Sequence, residues 1–117
     1  RNLFTLFILI MVLDKATIYG DLVRMTYKIN ILSKAQRYFD TLDERTILNI
    51  WSSIAELKKN PYRRRPLVDI IKLRGFKSPP MYRLRVGRHR LEYFIDENEN
   101  AITVTNAFLR SGDSDYR

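Results

Sequence analysis

Residues 72–93 read KLRGFKSPPMYRLRVGRHRLEY, with arginines alternating with apolar residues on both sides of Gly87. Arg83 and Arg85 alternate with Tyr82, Leu84 and Val86. Gly87 interrupts the run, and Arg90 restarts it with Leu91, Tyr93 and Ile95. A period of two sends alternate side chains to opposite faces of a sheet. The stretch is therefore expected to be a strand, a turn at Gly87 and a second strand. One face is apolar, with Tyr82 and Tyr93 in the core. The other carries a row of arginines. His89 falls on the parity opposite to Arg90, which fits a structural role better than a catalytic one. Guanidinium groups in an array suit phosphate, because each offers a planar fork of donors and a permanent charge. The same pattern also describes the solvated outer face of an antiparallel sheet.

Composition favours the first of these. The chain has 117 residues and a net charge of +8, enough for one domain with a single core. Between residues 58 and 93 there are twelve Lys or Arg against two acids, Asp69 and Glu92, so the rest of the chain sums to −2. A basic stripe on a near-neutral body is the footprint of a nucleic-acid partner, although an acidic protein or an anionic membrane surface fits as well. Without cysteine there are neither disulfides nor thiolate metal sites. One histidine forms no histidine cluster, so neither a zinc site nor a nucleophile–histidine triad is expected, and no cofactor.

Upstream of the stretch, Tyr27, Ile29 and Ile31 alternate with Lys28 and Asn30, the mark of a first strand. Ser33 is the expected N-cap of a short helix through Ala35, Tyr38, Phe39 and Leu42, and Asp43 of a longer one. Ile47, Ile50, Trp51, Ile54 and Leu57 keep helical spacing and are expected in the core. Asn60-Pro61 ends that helix. Arg63, Arg64 and Arg65 then form a loop whose charges could grip a nucleic-acid backbone or merely solubilise. Residues 68–73 form a short strand or irregular segment leading to Gly75. Downstream, residues 96–100 read DENEN, a solvated turn. A last strand follows through Ile102 and Val104 to Leu109, and then an exposed tail. Runs of helix followed by runs of strand predict an α+β fold with an antiparallel sheet and the two N-terminal helices packed on one face, in the order β-α-α-β-β-β. The arginine face is expected opposite the helices, open to a partner.

Residues 1–24 stand apart. Their apolar run, residues 3–13, falls short of the ~20 residues that span a bilayer. Three readings fit: an extension upstream of the domain, an export or membrane segment, and a helix packed on the domain. The first is preferred, which sets the domain at residues 25–117 and expects no membrane.

The strand at residues 27–31, the helical pair, Asn60-Pro61, the KLRG at residues 72–75, the YRLRVG at 82–87, the RLEY at 90–93 and the tail from Arg110 to Tyr116 together resemble the RelE/ParE toxin superfamily. Within it they are most similar to RelE-type mRNA interferases. The resemblance spans residues 25–117 and implies a RelE-like fold. It also implies a cytoplasmic toxin of a toxin–antitoxin pair, with a separate antitoxin, the ribosome and mRNA as partners. The implied activity is metal-independent cleavage of mRNA in the ribosomal A site. Residue by residue, Arg83 and Arg85 match two basic positions of the central strand, where the bacterial enzymes carry lysines. Arg90 matches the arginine of the next strand, Arg110 the arginine after the last strand, and Tyr116 the tyrosine six residues beyond it. These five are the candidate catalytic residues. Lys72, Arg74, Lys77 and Arg88 are candidate RNA-binding residues, although Lys72 and Arg74 could simply flank a turn. A ParE-like or non-catalytic toxin acting on a protein, and a plain RNA-binding module, are the alternatives.

Cleavage by the substrate's own 2′-hydroxyl needs a base, cations for the phosphorane and an acid for the 5′-oxygen. Arginines supply the cations but are poor bases, because a guanidinium stays protonated. Under the resemblance, Tyr116 orients or activates the 2′-OH, Arg83, Arg85 and Arg110 hold the phosphate, and Arg90 stabilises charge on it or on the leaving oxygen. The stretch is thus rich in phosphate-holding groups and poor in bases.

Overall fold

Asp43 fixes where the longer helix begins, because its side chain accepts the Thr46 backbone N–H at 2.8 Å. That is the N-cap bond that satisfies one of the orphan donors of a first turn. The computed structural model describes residues 26–111. In chain order they form β1 (Lys28–Ile31), α1 (Ser33–Phe39), α2 (Glu44–Leu57), β2 (Asp69–Lys72), β3 (Tyr82–Val86), β4 (His89–Asp96) and β5 (Ala101–Leu109). Residues 1–24 and Tyr116 lie outside the described residues.

The strands make one five-stranded sheet in the order β1-β5-β4-β3-β2. The α+β architecture agrees with the reading of the sequence, with four strands after the helices. The sheet is mixed rather than wholly antiparallel, because β1 pairs parallel with β5. The two helices carry the chain from β1 over the face to the far edge. The last strand then inserts between β1 and β4, a long-range pairing that local patterning does not report.

Both helices lie on one face. Ala35 and Phe39 of α1 and Ile50, Ile54 and Leu57 of α2 pack on Leu84, Leu91, Tyr93, Ile102, Val104 and Ala107. Burial of a Leu or Ile side chain is worth about 1.5–3 kcal/mol, so this stripe supplies much of the driving force for folding. Tyr93 is fully buried and donates its hydroxyl to the Pro61 carbonyl at 2.7 Å. That bond ties the end of α2 to the sheet. Two local expectations fail. Leu32, not Ser33, holds the N-cap position of α1, without a side-chain bond. Trp51 is 40% exposed. The buried stripe runs through Ile50, Ile54 and Leu57, and Trp51 sits at its margin, edge-on to Phe39 at 6.1 Å.

The arginine loop is structural in two of its three members. Arg65 donates to the carbonyls of Glu56 at 2.6 Å and Asn60 at 2.8 Å, closing the open end of α2. Arg64 pairs with Asp69 at 3.1 Å. The DENEN turn is likewise more than solvated, since Glu97 accepts from the hydroxyls of Tyr27 and Tyr62. That bonding and burial push both phenols above their ordinary pKa, burial being the larger cause.

A bulge in β5 shapes the opposite face. Glu92 pairs with Asn106 but Tyr93 pairs with Val104, which leaves Thr105 as the extra residue. An extra residue in one strand reverses the alternation beyond it. Ile102 and Val104 therefore share the core face with Ala107, while Asn106 and Phe108 turn to the arginine face.

Candidate nucleic-acid interface

Gly87 and Arg88 form the two-residue loop between β3 and β4, and Gly87 has φ +59°. Glycine at the first loop position is what a type II′ hairpin requires. This tight turn fixes the register: Arg85 opposite Arg90, Arg83 opposite Glu92, Leu84 opposite Leu91 and Val86 opposite His89. Arg83, Arg85 and Arg90 thus share the face away from the helices, as the alternation predicts. Two like charges directly across a strand pair repel, and the structure shows how each is compensated. Arg85 donates to both oxygens of Asp69, at 3.0 and 3.2 Å. Arg90 turns along the hairpin and donates to the carbonyls of Gly87 at 2.8 Å and His89 at 3.0 Å. Arg83 donates to Glu92 at 2.6 Å, and its guanidinium lies over the Phe108 ring at 5.3 Å.

The expected open row of arginines is therefore closed in part. Arg83 and Arg90 are only 5% and 3% exposed, and Arg85 is half-buried. Asp69 holds Arg85, and Glu92 and Phe108 engage Arg83; these three residues are what the sequence reading missed. Asp69 and Glu92 lie on the same face as the arginines and directly opposite two of them. Glu92 was open to inference, as a carboxylate two residues beyond Arg90 on the basic parity. Phe108 was not, because the bulge that turns it there has no sequence signature.

The remaining candidates divide between the two ends of the hairpin. Lys72 pairs with Tyr82 and so falls on the parity opposite to Arg83, exposed at the strand end. Arg74 and Lys77 are exposed in the connection from β2 to β3. Arg74 lines a cavity of about 380 Å³ together with Leu73, Phe76, Arg83 and Glu92. Arg88 sits exposed at the turn, and its carbonyl accepts the Arg110 N–H at 2.7 Å, which brings the exposed Arg110 to the same end. Tyr116, the remaining candidate, lies outside the described residues. His89 faces the helices, with Nδ1 2.6 Å from the Tyr38 hydroxyl. Burial, then the charges of Arg88 and Arg90, hold its pKa below the ordinary imidazole value. Both causes favour the neutral ring, which can accept from Tyr38, and its position on the helix side keeps it off the arginine face.

No family model matches the sequence, and no curated protein does. Solved structures do. The RelE–RelB complex of the archaeon Pyrococcus horikoshii contains a chain 24% identical to this one, with a TM-score of 0.65 over 75% of this chain and 99% of the other. The isolated Escherichia coli RelE toxin is 17% identical, with a TM-score of 0.62 over 77% and 90% of the two chains. The Staphylococcus aureus YoeB dimer is 20% identical, with a TM-score of 0.57 over 74% and 99%. This chain has the fold of the RelE-like toxins.

Proposed function

We propose that the chain is the toxin of a toxin–antitoxin pair and a metal-independent endoribonuclease that cuts mRNA in the ribosomal A site. The observation that carries the reading is the convergence of Arg83, Arg85 and Arg90 on one sheet face of a RelE-like fold. In this reading Arg83, Arg85 and Arg110 hold the scissile phosphate, and Arg90 stabilises charge on it or on the leaving oxygen. Tyr116 orients the 2′-OH. Lys72, Arg74, Lys77 and Arg88 hold the RNA backbone on either side. The structures with this fold include RelE–RelB complexes, which supports a separate antitoxin as partner. The ribosome and mRNA would be the other partners, in the cytoplasm.

A second reading has its own support. Asp69 and Glu92 already neutralise Arg85 and Arg83, which leaves the face less cation for RNA and favours a toxin that binds a protein target. Tightly controlled expression of the full chain, with cleavage of a translated messenger mapped by primer extension, separates the two. Codon-phased cuts that Arg85→Ala weakens by ~100-fold or more, the scale of one transition-state charge contact, support the nuclease. Growth arrest with intact messenger supports the protein-directed toxin. Undiminished cuts in both Arg85→Ala and Tyr116→Phe remove the site assignment.

A further inference from the structure

The arginine face as read from the sequence is poor in bases, and Glu92 places a carboxylate on that face. We propose that Glu92 is the general base that takes the proton of the substrate 2′-OH, within a nucleotide subsite formed by Arg74, Phe76, Arg83 and Glu92. This rests on the nuclease reading above and deepens it.

Three observations carry it. First, Glu92 stands on β4 on the arginine face, cross-strand from Arg83, with Oε2 2.6 Å from the Arg83 Nη2. A phosphate accepting from another N–H of the same guanidinium would lie beside the carboxylate, which brings the adjoining 2′-oxygen within its reach. Second, the two acids of the face differ. Asp69 is engaged through both oxygens, by Arg85 and Arg64. Glu92 engages Arg83 through Oε2, and among the described residues its Oε1 has no hydrogen-bond partner. Third, Glu92 opens on the cavity of about 380 Å³ that it lines with Leu73, Arg74, Phe76 and Arg83, within the usual range for a small-ligand site. Phe76 is half exposed and offers a ring for a base to stack on, the sequence-tolerant contact that single-stranded RNA uses. Arg74 adds a cation at the rim.

The step balances without a metal or a second reagent. The Glu92 carboxylate accepts the 2′-OH proton as the 2′-oxygen bonds to phosphorus. The bond from phosphorus to the 5′-oxygen breaks, and that oxygen takes a proton from water. The products are a 2′,3′-cyclic phosphate and a 5′-hydroxyl end, with the proton on Glu92 returned to solvent.

The test uses the full chain on ribosomes programmed with a messenger that it cuts, and on the same messenger with 2′-deoxyribose at the scissile nucleotide. Glu92→Gln is expected to slow single-turnover cleavage by about 100-fold or more, the ordinary contribution of a positioned base. It should also abolish the rise of rate with pH on the acid side, and bind the 2′-deoxy complex within about twofold of the unaltered chain, since the amide still accepts from Arg83. Cleavage by Glu92→Gln within about threefold of the unaltered chain overturns the proposal and leaves the nuclease reading standing. If Glu92→Gln loses binding as well, Glu92→Asp decides. Recovery of part of the rate by the shorter carboxylate supports the base, and a rate as low as that of the amide overturns it. An unaltered chain that cuts nothing overturns the nuclease reading and this proposal together.

Discussion

His89 separates two jobs that a histidine beside three arginines could do. It belongs to the hairpin that carries Arg83, Arg85 and Arg90, yet it faces α1 and meets Tyr38. Its pKa is lowered from the ordinary 6.5, by burial first and then by Arg88 and Arg90, with Asp43 opposing. The unfolded chain therefore binds this proton more readily than the folded one. The linked stability is complete above the unfolded value, near 6.5, and is lost as pH falls through the lower folded value. His89→Gln keeps an acceptor for Tyr38 but cannot titrate. In urea denaturation from neutral to mildly acid pH, the advantage of the unaltered chain over His89→Gln should shrink as pH falls. An advantage that stays constant or grows would show that the ring is not held neutral.

At the scale of elements, the hairpin at Gly87 aligns every charged pair of the face. Its glycine sits at φ +59°, and a Cβ added there would meet nothing within 4 Å. The cost of Gly87→Ala should thus be conformational alone, about 1–2 kcal/mol for an L-residue in the left-handed region, with Gly87→Asn costing less because asparagine tolerates that region. Chemical denaturation would measure both. A cost near zero for alanine would mean that the turn has changed type and the register of Arg85 with Arg90 is no longer enforced. This hairpin was legible in the sequence because its signals are local: alternation, a glycine, and alternation again. The two helices were legible for the same reason, from Asp43 and from the spacing of Ile47, Ile50, Ile54 and Leu57. What escaped was non-local or without residue preference. The parallel pairing of β1 with β5 joins segments more than seventy residues apart, and the bulge at Thr105 leaves no mark in the sequence. That bulge decides which side Phe108 takes, and with it how Arg83 is covered. Trp51 escaped for a third reason, since helical spacing defines a stripe but not which residues lie at its margin.

Across the whole molecule, the net charge of +8 overstates what a phosphate chain would meet. Arg83 and Arg90 are buried, Arg85 is neutralised by Asp69, Arg64 shares that acid, and Arg65 closes α2. Around the hairpin, the exposed cations are Lys72, Arg74 and Lys77 at one end and Arg88 and Arg110 at the other. An RNA strand that used both ends would run across the arginine face between them, past Glu92 and the cavity. Each phosphate neutralised on a single strand contributes about 0.7 to the slope of log affinity against log salt, through release of bound counterions. Replacing Lys72, Arg74 and Lys77 together by Gln should lower that slope by about 2, and replacing Arg88 and Arg110 by about 1.4. Affinity for a single-stranded RNA, measured between about 50 and 200 mM potassium chloride, checks both. Arg64→Gln serves as the control, since its charge is already engaged, and should leave the slope nearly unchanged. Equal losses from all three variants would mean that binding follows total charge rather than this path. A loss confined to one end would place the RNA around a hairpin end instead of along the face, away from Arg83, Arg85 and Arg90.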